Sequence, residues 1–294
     1  MTDSSSSRVS LRSAELSAEI DTLGAQLSAL RDSTGRDLLW NGDPAIWAGR
    51  APLLFPIVGA LAGGSYRLGS KTFSLSRHGF ARGKMFMVVE ATATTALFRL
   101  SADEASLQIY PFRFELDVEF ALAGASLSVT TFVRNKGGEE MPASVGYHPA
   151  FRWPLPFGQP RSSHFIQFEV DEPAPARRIS SAGLLTPERH PTPIVQRRLA
   201  LNDVLFQDDV LILDQVSSRS VTYGADNGPS IRVNFPDAPY LGLWTKPGAY
   251  FICIEPWHGI TDPEGYSGDF KEKPGIFVVS PGETFSTSMV IVLV

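Results

Sequence analysis

Three short segments of the chain place titratable side chains beside glycine, proline and aromatic residues. They are SRHGFARGKMF (76–86), VGYHPAFRWP (145–154) and ICIEPWHGITD (252–262). Positions where a strand ends and the backbone is constrained often carry binding or catalytic groups. A histidine and a glutamate placed there could act as a general acid and a general base. Each residue alone also fits a structural role: His78 as a turn cap, His148 as a packed core residue, and Glu255 as the partner of an arginine.

Other chemistries fit these segments less well. The two histidines and the glutamate could form a metal set, but no two of them lie three or four residues apart, and HExxH and CxxC are absent. A metal site is therefore not expected. Cys253 lies in an apolar run that predicts a buried strand, and no GxSxG motif is present, which disfavours acyl transfer. Cleavage of a glycosidic bond by two carboxylates stays open, with Asp209 or Asp262 beside Glu255.

The composition excludes several classes of partner. The chain has 294 residues, of which 43% are hydrophobic and 19% charged, with a formal net charge of −5. No stripe of lysine and arginine is present, so nucleic acid is not expected as a partner. A mildly acidic surface also fits poorly with binding to an anionic membrane. The single cysteine excludes an internal disulfide and permits a reducing compartment.

The beginning of the chain, MTDSSSSRVSLRSAE, is polar and lacks the apolar core of a signal peptide. We therefore predict a disordered tail over residues 1–10 and a single domain over residues 11–294. No run approaches the roughly 18 apolar residues of a membrane-spanning helix. These features favour a cytoplasmic location.

The dominant period of the hydrophobic pattern is two, which is typical of strands. Alternation over 112–120 resumes over 127–133 and predicts a hairpin, and SYRLGSKTFSLS predicts another that turns at Gly69 and Ser70. Two further strands are predicted around Pro281 and Gly282. Helical signals are scarce: NGDPAIWAG supports one short turn with Asp43 as its N-cap. Many short strands indicate an all-β fold of two packed antiparallel sheets.

Together, the segments resemble the aldose 1-epimerases, also called galactose mutarotases, and within them the branch of LacX-like proteins. The resemblance runs along nearly the whole chain. Its motifs are LLWNGDPAIWAGRAPLLFPIVGAL (38–61), RHGFAR (77–82), GYHPAF (146–151), LFQDDVLIL (205–213) and LGLWTKPGAYFICIEPWHGITD (241–262). The resemblance implies a β-supersandwich fold and interconversion of the α and β anomers of a sugar.

The resemblance also implies roles for individual residues. His148 matches the general acid that protonates the ring oxygen, and Glu255 matches the general base that takes the proton from the anomeric hydroxyl. His78 matches a second histidine, which binds the sugar near the ring oxygen. Asp209, with Asp208 as the neighbouring alternative, matches the acidic residue that holds sugar hydroxyls.

One position departs from the family pattern. Family members often carry an arginine after the glycine of PIVG, and Ala60 stands there in this chain. Arg50, Arg82 or another basic residue could replace that arginine, or the substrate could differ. The candidates for stacking on apolar sugar faces are Trp244, Trp257, Tyr147, Phe151 and Trp153.

The chemistry of anomer exchange fits these residues independently of the resemblance. Opening a cyclic hemiacetal delivers one proton to the ring oxygen and removes one from the anomeric hydroxyl, so an acid and a base must face one carbon. No cofactor is required. We therefore predict an isomerase that acts on hexose anomers, either as a monomer or as a homodimer. The alternatives are a non-catalytic sugar-binding or sensing protein on the same fold, or a hexose-6-phosphate mutarotase. Arg50, Arg82, Arg152 and Lys246 could bind a phosphate, but Ala60 removes one family base, which favours a neutral sugar.

Overall fold

The fold is built almost entirely from antiparallel strands. The computed structural model describes residues 7–294. In chain order the strands are β1 (Arg8–Arg12), β2 (Leu16–Asp21), β3 (Gln26–Asp32), β4 (Leu53–Leu54), β5 (Ser65–Leu68), β6 (Lys71–Ser74), β7 (Met87–Ala91), β8 (Thr95–Ser101), β9 (Phe114–Ala123), β10 (Ser126–Asn135), β11 (Met141–Ala143), β12 (Val145–Tyr147), β13 (Ala150–Arg152), β14 (His164–Phe168), β15 (Arg198–Ala200), β16 (Leu211–Leu213), β17 (Ser220–Ala225), β18 (Ile231–Asn234), β19 (Tyr240–Trp244), β20 (Phe251–His258), β21 (Phe277–Val279) and β22 (Thr284–Leu293). Over the same residues the one α-helix is α1 (Glu104–Ile109), and short 3-10 helices occupy Ala62–Gly64, Ala81–Gly83, Arg161–Ser163, Asp203–Phe206 and Phe270–Glu272.

Two large antiparallel sheets form the body of the fold. The first has nine strands in the order β15-β14-β17-β18-β22-β10-β9-β8-β7. The second has the order β16-β19-β20-β12-β4, and β13 also pairs with β20. Smaller sheets are formed by β1-β2-β3, by β11-β21 and by β5-β6. The prediction of an all-β supersandwich is confirmed.

The strands predicted from the hydrophobic pattern agree with strands of the structure. β9 and β10 form the predicted hairpin, and the alternate residues Phe114, Leu116, Val118 and Phe120 of β9 are buried, because alternate side chains of a strand share one face. β5 and β6 form the second hairpin, in which Leu68 pairs with Lys71. The strands predicted around Pro281 and Gly282 are β21 and β22, which join different sheets.

The faces of the two large sheets meet at Tyr147 of β12. Its hydroxyl lies 3.2 Å from the Val129 carbonyl oxygen, 3.0 Å from the Thr287 carbonyl oxygen and 3.0 Å from Thr131 Oγ1. All three partners belong to the nine-stranded sheet. Burial raises the pKa of Tyr147, so the hydroxyl keeps its proton and can donate it to one of these oxygens. Tyr147 therefore points into the core between the sheets.

The chain is already ordered within the segment predicted to be a tail. Residues 8–10 belong to β1, which pairs with β2 along its length. Leu11 of this strand is buried, and the Arg8 guanidinium forms ion pairs with Glu19 and Asp21 of β2. These contacts are the reason that the prediction is wrong for residues 8–10, while residues 1–6 lie outside the described part. No helix among residues 7–294 is long and apolar enough to cross a membrane.

A cluster of charged residues braces the nine-stranded sheet. Asp117 of β9 is 1% exposed and receives hydrogen bonds from Arg99 Nε and Nη2, both at 2.7 Å, and from Arg134 Nη1. The two arginines lie on the flanking strands β8 and β10. Burial by itself raises the pKa of the Asp117 carboxyl, but hydrogen bonds from both guanidinium groups outweigh it and hold the pKa below 3.8.

We predict that Asp117→Asn lowers the free energy of unfolding by about 1–3 kcal/mol at neutral pH, because it removes the more deeply buried of the two carboxylates, Asp117 and Glu115, with which both arginines form ion pairs. The pKa is depressed in the folded state, so the stabilisation is present above pH 3.8 and is lost as the pH falls through the folded value. Urea unfolding of both proteins at neutral pH and below pH 3.8 measures this effect. A difference between them that does not shrink with falling pH would contradict the assignment.

Candidate active site

The candidate site begins at an interruption in the pairing of the six-stranded sheet. β12 and β13 both pair with β20, through Val145 with His258 and through Ala150 with Cys253. The register is the same in both pairings, so position 148 stands opposite position 255. Two prolines without N–H groups, Pro149 and Pro256, lie at this point and remove two donors from the ladder of hydrogen bonds, although the Ile254 N–H still donates to the Pro149 carbonyl at 3.3 Å.

His148 and Glu255 are therefore cross-strand neighbours, although they lie far apart in the chain. His148 Nε2 is 3.2 Å from Glu255 Oε2. His148 is 8% exposed and Glu255 is 1% exposed. Side chains directly opposite each other on adjacent strands have Cβ atoms only about 5 Å apart. The register of β20 alone is enough to bring this acid and base together.

Burial suppresses charge on both members of the pair. It lowers the pKa of His148 to about 3, and the positive charges of Arg82 and Arg77 add to this effect. Burial also raises the pKa of Glu255 well above 4.5. An ion pair transferred out of water is costly, so one proton shared by the two groups favours a neutral imidazole and a carboxylic acid.

His78 presents its ring to the same space, with its imidazole centroid 5.8 Å from that of His148. The Gly59 N–H donates to His78 Nδ1 at 3.1 Å, which leaves the proton of the neutral ring on Nε2. Burial and the neighbouring His148 lower the pKa of His78 well below 6.5. His78 therefore offers a single N–H donor.

The backbone around His78 explains the glycine that follows it. His78 and Gly79 both have positive φ angles, of 67° and 71°. A Cβ on Gly79 would overlap the carbonyl oxygen of Phe55. Only glycine combines this left-handed conformation with such a close approach.

The segment that supports His78 is held from behind by a buried network. Thr261 Oγ1 donates to the Gly183 carbonyl at 2.6 Å and accepts from the Ala60 N–H at 3.0 Å. Asp262 accepts from the Ala62 N–H at 2.9 Å and pairs with Lys273 at 2.7 Å. The Asp262 carboxylate is therefore occupied by structural contacts. This argues against Asp262 as the second carboxylate of a glycosidase and leaves Asp209 as the other candidate.

His78, His148 and Glu255 line a pocket of about 250 Å³. Its lining residues are Trp47, Arg77, His78, Arg82, His148, Asp209, Val210, Trp244, Glu255 and Trp257. All six site residues predicted from the sequence, His78, Arg82, His148, Asp209, Glu255 and Trp257, are among them. Of the two neighbouring aspartates, Asp209 is the one that lines the pocket.

Sequence reasoning missed two of the charged and aromatic residues of the pocket. Arg77 directly precedes His78 in the RHGFAR motif, so its place in that motif was a usable signal. Trp47 lies in the segment NGDPAIWAG, for which a short turn with Asp43 as its N-cap was predicted, but nothing in the sequence indicated which way its ring points. The hydrogen bond from the Trp47 N–H to the Asp43 carbonyl, at 2.8 Å, confirms the turn itself.

The arginines considered as replacements for the family arginine at position 60 lie in different places. Arg50 donates to the Ser28 carbonyl and does not line the pocket. A Cβ on Gly183 would lie 3.5 Å from both Ala60 Cβ and Arg77 Cζ. The Arg77 guanidinium thus lies against the space beside Ala60, and the Arg77 carbonyl accepts a 2.8 Å hydrogen bond from Arg82 Nη2.

The aromatic candidates divide into two groups. Trp244 and Trp257 line the pocket, whereas Phe151 and Trp153 are fully buried elsewhere and Tyr147 faces the other sheet. The expectation that these last three stack on a sugar is therefore wrong. Their alternation along the chain could not reveal this, because both faces of this sheet are covered.

Two glycines create the space for the Trp257 indole. Gly146 of β12 and Gly242 of β19 flank it on either side. A Cβ on Gly146 would lie 2.6 Å from Trp257 Cδ1, and one on Gly242 would overlap the far edge of the indole ring. Trp257 therefore lies flat across its neighbouring strands and helps to cover Glu255.

The residues offer poor prospects for a bound metal. His148, Cys253 and Glu255 each have a potential ligand atom within 4.8 Å of the others. Burial, however, raises the pKa of the Cys253 thiol well above 9.0, and a metal requires the thiolate. The imidazole and carboxyl groups already face each other.

Comparison with solved structures identifies the fold type. A galactose mutarotase related enzyme from Lactobacillus acidophilus superposes with a TM-score of 0.91 and 30% identity, over 98% of this chain and 97% of that one. A galactose mutarotase-like protein from Lactobacillus casei also gives a TM-score of 0.91, with 28% identity over 98% of this chain and all of the other.

Sequence comparison agrees with the structural one. The chromosomal protein LacX of Lactococcus lactis is 34% identical over 290 residues, which span 95% of this chain and 97% of that protein. The profile of the family described as aldose 1-epimerase matches residues 7–272. The chain therefore belongs to the aldose 1-epimerase family.

Proposed function

We propose that this protein interconverts the α and β anomers of a hexose, with His148 and Glu255 as its acid–base pair. The observation that carries the proposal is the 3.2 Å separation of His148 Nε2 and Glu255 Oε2 at a pocket large enough for a sugar ring. Both groups are otherwise costly to bury, and perturbed carboxyl and imidazole groups in a cleft are typical of catalytic sites.

One proton on the pair is sufficient for the reaction. Imidazolium at His148 protonates the ring oxygen while carboxylate at Glu255 takes the proton of the anomeric hydroxyl. Ring opening thus leaves a neutral imidazole and a carboxylic acid, the pair that burial favours. Ring closure on the other face of the aldehyde reverses both transfers. Hydrogen bonds from sugar hydroxyls to the carboxylate favour the charged pair at the start of the cycle.

The remaining pocket residues bind and orient the sugar. The Nε2–H of His78 donates to an oxygen near the ring oxygen. Asp209, whose Oδ1 already accepts from the Val210 N–H at 2.7 Å, uses its remaining lone pairs for sugar hydroxyls. Trp257 and Trp244 supply apolar walls for the C–H faces of the ring, and Arg82 donates from the rim.

His148→Asn and Glu255→Gln are each expected to lower kcat for anomer exchange by about 10²–10⁴-fold while sugar binding persists. The double variant should lose much less than the product of the two losses, because acid and base act as a unit. Polarimetry of freshly dissolved α-hexose measures the rate.

The outcome also separates the enzyme from its alternatives. A sugar sensor would bind hexose without accelerating its equilibration. A structural role for His148 would lower the melting temperature of His148→Asn and leave turnover per folded molecule near that of the wild type.

We predict a bell-shaped pH profile whose acid limb lies far below the ordinary imidazole range. Activity requires one proton on the pair, so it falls at low pH as a second proton binds, near the His148 pKa of about 3. It falls at high pH as Glu255, whose pKa is raised well above 4.5, loses the remaining proton. The profile of kcat/KM, corrected for spontaneous mutarotation, measures both limbs. An acid limb near 6.5 would contradict the neutral pair.

A second candidate substrate is a hexose phosphate, and the charge of the pocket favours it. Arg77 and Arg82 line the pocket with Asp209 as the one charged acid when Glu255 is protonated. One positive charge is therefore in surplus. Planar guanidinium groups bind phosphate oxygens through paired hydrogen bonds. The expectation of a neutral sugar was based on Ala60 and did not take Arg77 into account. The guanidinium of Arg77 in the pocket weakens that expectation.

If the substrate carries phosphate, kcat/KM for glucose 6-phosphate exceeds that for glucose at least tenfold. Arg77→Ala should then remove most of this preference, because it raises KM for glucose 6-phosphate far more than KM for glucose. Arg12→Ala, at an exposed position of β1, is the matched control. Equal kcat/KM values for the two sugars would exclude the phosphate ester and retain the neutral hexose.

A further inference from the structure

The tryptophan that ends the turn at residues 43–47 is held by its backbone. Asp43 Oδ1 accepts from the Ala45 N–H at 2.9 Å, and the Asp43 carbonyl accepts from the Trp47 N–H at 2.8 Å. Trp40 Nε1 donates to the Trp47 carbonyl at 2.8 Å. These three bonds set the place of Trp47 relative to the sheet that carries β13.

The Trp47 indole lies directly against the imidazole of His148. The two rings are stacked, with centroids 5.1 Å apart and planes inclined by 27°. Phe251 stacks on Trp47 with a centroid distance of 5.4 Å, and Trp244 meets it edge-on at 5.4 Å. The indole therefore has aromatic contacts that fix its own orientation while it covers one face of the imidazole.

Gly49 makes room for this indole. A Cβ at position 49 would overlap Cζ2 of Trp47 and lie 2.8 Å from both Cε2 and Cη2 of the same ring. Gly49 is not in the left-handed backbone region and does not line the pocket. An alanine there suits the backbone, so its effect acts through displacement of Trp47.

We propose that Trp47 is the positioning residue of His148, and that Gly49 is the residue that permits its placement. The hydrogen bond that would otherwise orient the imidazole is missing: His148 Nδ1 is buried and has no partner within residues 7–294. Rotation of the ring about its bond to Cβ is instead limited by the Trp47 indole face, while Trp244 meets the imidazole edge-on at 5.8 Å between centroids. The role of this Trp47–His148 contact in catalysis rests on the proposed function, whereas the contact between the two rings does not.

Other groups also act on the His148 ring. Glu255 Oε2 lies 3.2 Å away, and the His78 ring lies across the pocket at 5.8 Å between centroids. Arg77 and Arg82 line the same pocket and oppose a charge on His148. Asp209 lines the same pocket, and the Cys253 thiol lies within 4.8 Å of a nitrogen of the His148 ring. Substitution of Trp47 leaves all of these groups present in the protein.

The test compares four variants. Trp47→Ala removes the indole, and Trp47→Phe retains an aromatic face. Gly49→Ala displaces the indole although the substituted residue does not itself line the pocket. Gly138→Ala is the matched control, because a Cβ there has no neighbour within 4 Å and its backbone is not left-handed. Each variant is assayed for anomer exchange, and its histidines are titrated by NMR. The chain has five histidines, and His148→Asn assigns the signal of His148.

We expect Trp47→Ala and Gly49→Ala to lower kcat about 10–100-fold with little change in KM, since a displacement near 1 Å can cost 10²-fold. In both variants the His148 pKa should rise from about 3 toward 6.5 as water reaches the ring. Trp47→Phe should stay within about threefold of the wild type, and Gly138→Ala should match it.

Two results would overturn the proposal. One is a Gly49→Ala protein that matches the wild type in both kcat and the His148 titration. The other is equal losses in Trp47→Phe and Trp47→Ala, which would make the indole edge rather than the aromatic face important. If the wild type exchanges no anomers at all, the proposed function fails, and the NMR titration still decides whether Trp47 positions His148.

Discussion

The candidate site depends on one constraint, the register with which β20 pairs with β12 and β13. That register sets His148 opposite Glu255, and the interrupted ladder between the two short strands leaves their side chains free to meet at 3.2 Å. A slip of one residue would turn each side chain to the other face of the sheet. The tyrosine hydroxyl at position 147, bonded to the opposite sheet, opposes such a slip.

Burial of this pair connects its stability with its chemistry. A charged imidazolium–carboxylate pair would be costly in this buried setting, so burial favours the proton on the carboxyl group. The charged and the neutral pair differ only in the position of one proton. In the proposed reaction, opening of the hemiacetal converts the charged pair into the neutral pair, and closing converts it back. The total number of protons on the pair and the sugar does not change. Burial, which disfavours the charged pair, therefore also favours the transfer of both protons in the proposed ring opening.

Close packing of aromatic rings on glycines surrounds the pair. The indole of Trp257 lies across Gly146 and Gly242, and the indole of Trp47 lies beside Gly49. In each case a single added methyl group would displace a ring that covers Glu255 or His148. Rigid walls of this kind hold a reacting group more precisely than flexible side chains do. They also keep water from the pair, which accounts for the shifted pKa values.

The sequence by itself determined the all-β class, the main hairpins and the six predicted residues of the pocket. Alternation reports which face of a strand is buried, and the motifs around His78, His148 and Glu255 are local. Only the tertiary structure decided how they meet, because cross-strand register joins residues that are distant in the chain. It also decided that Trp47 and Arg77 belong to the site and that Tyr147, Phe151 and Trp153 do not. Where both faces of a sheet are covered, the direction of a side chain depends on what packs against it, and no local pattern contains that information.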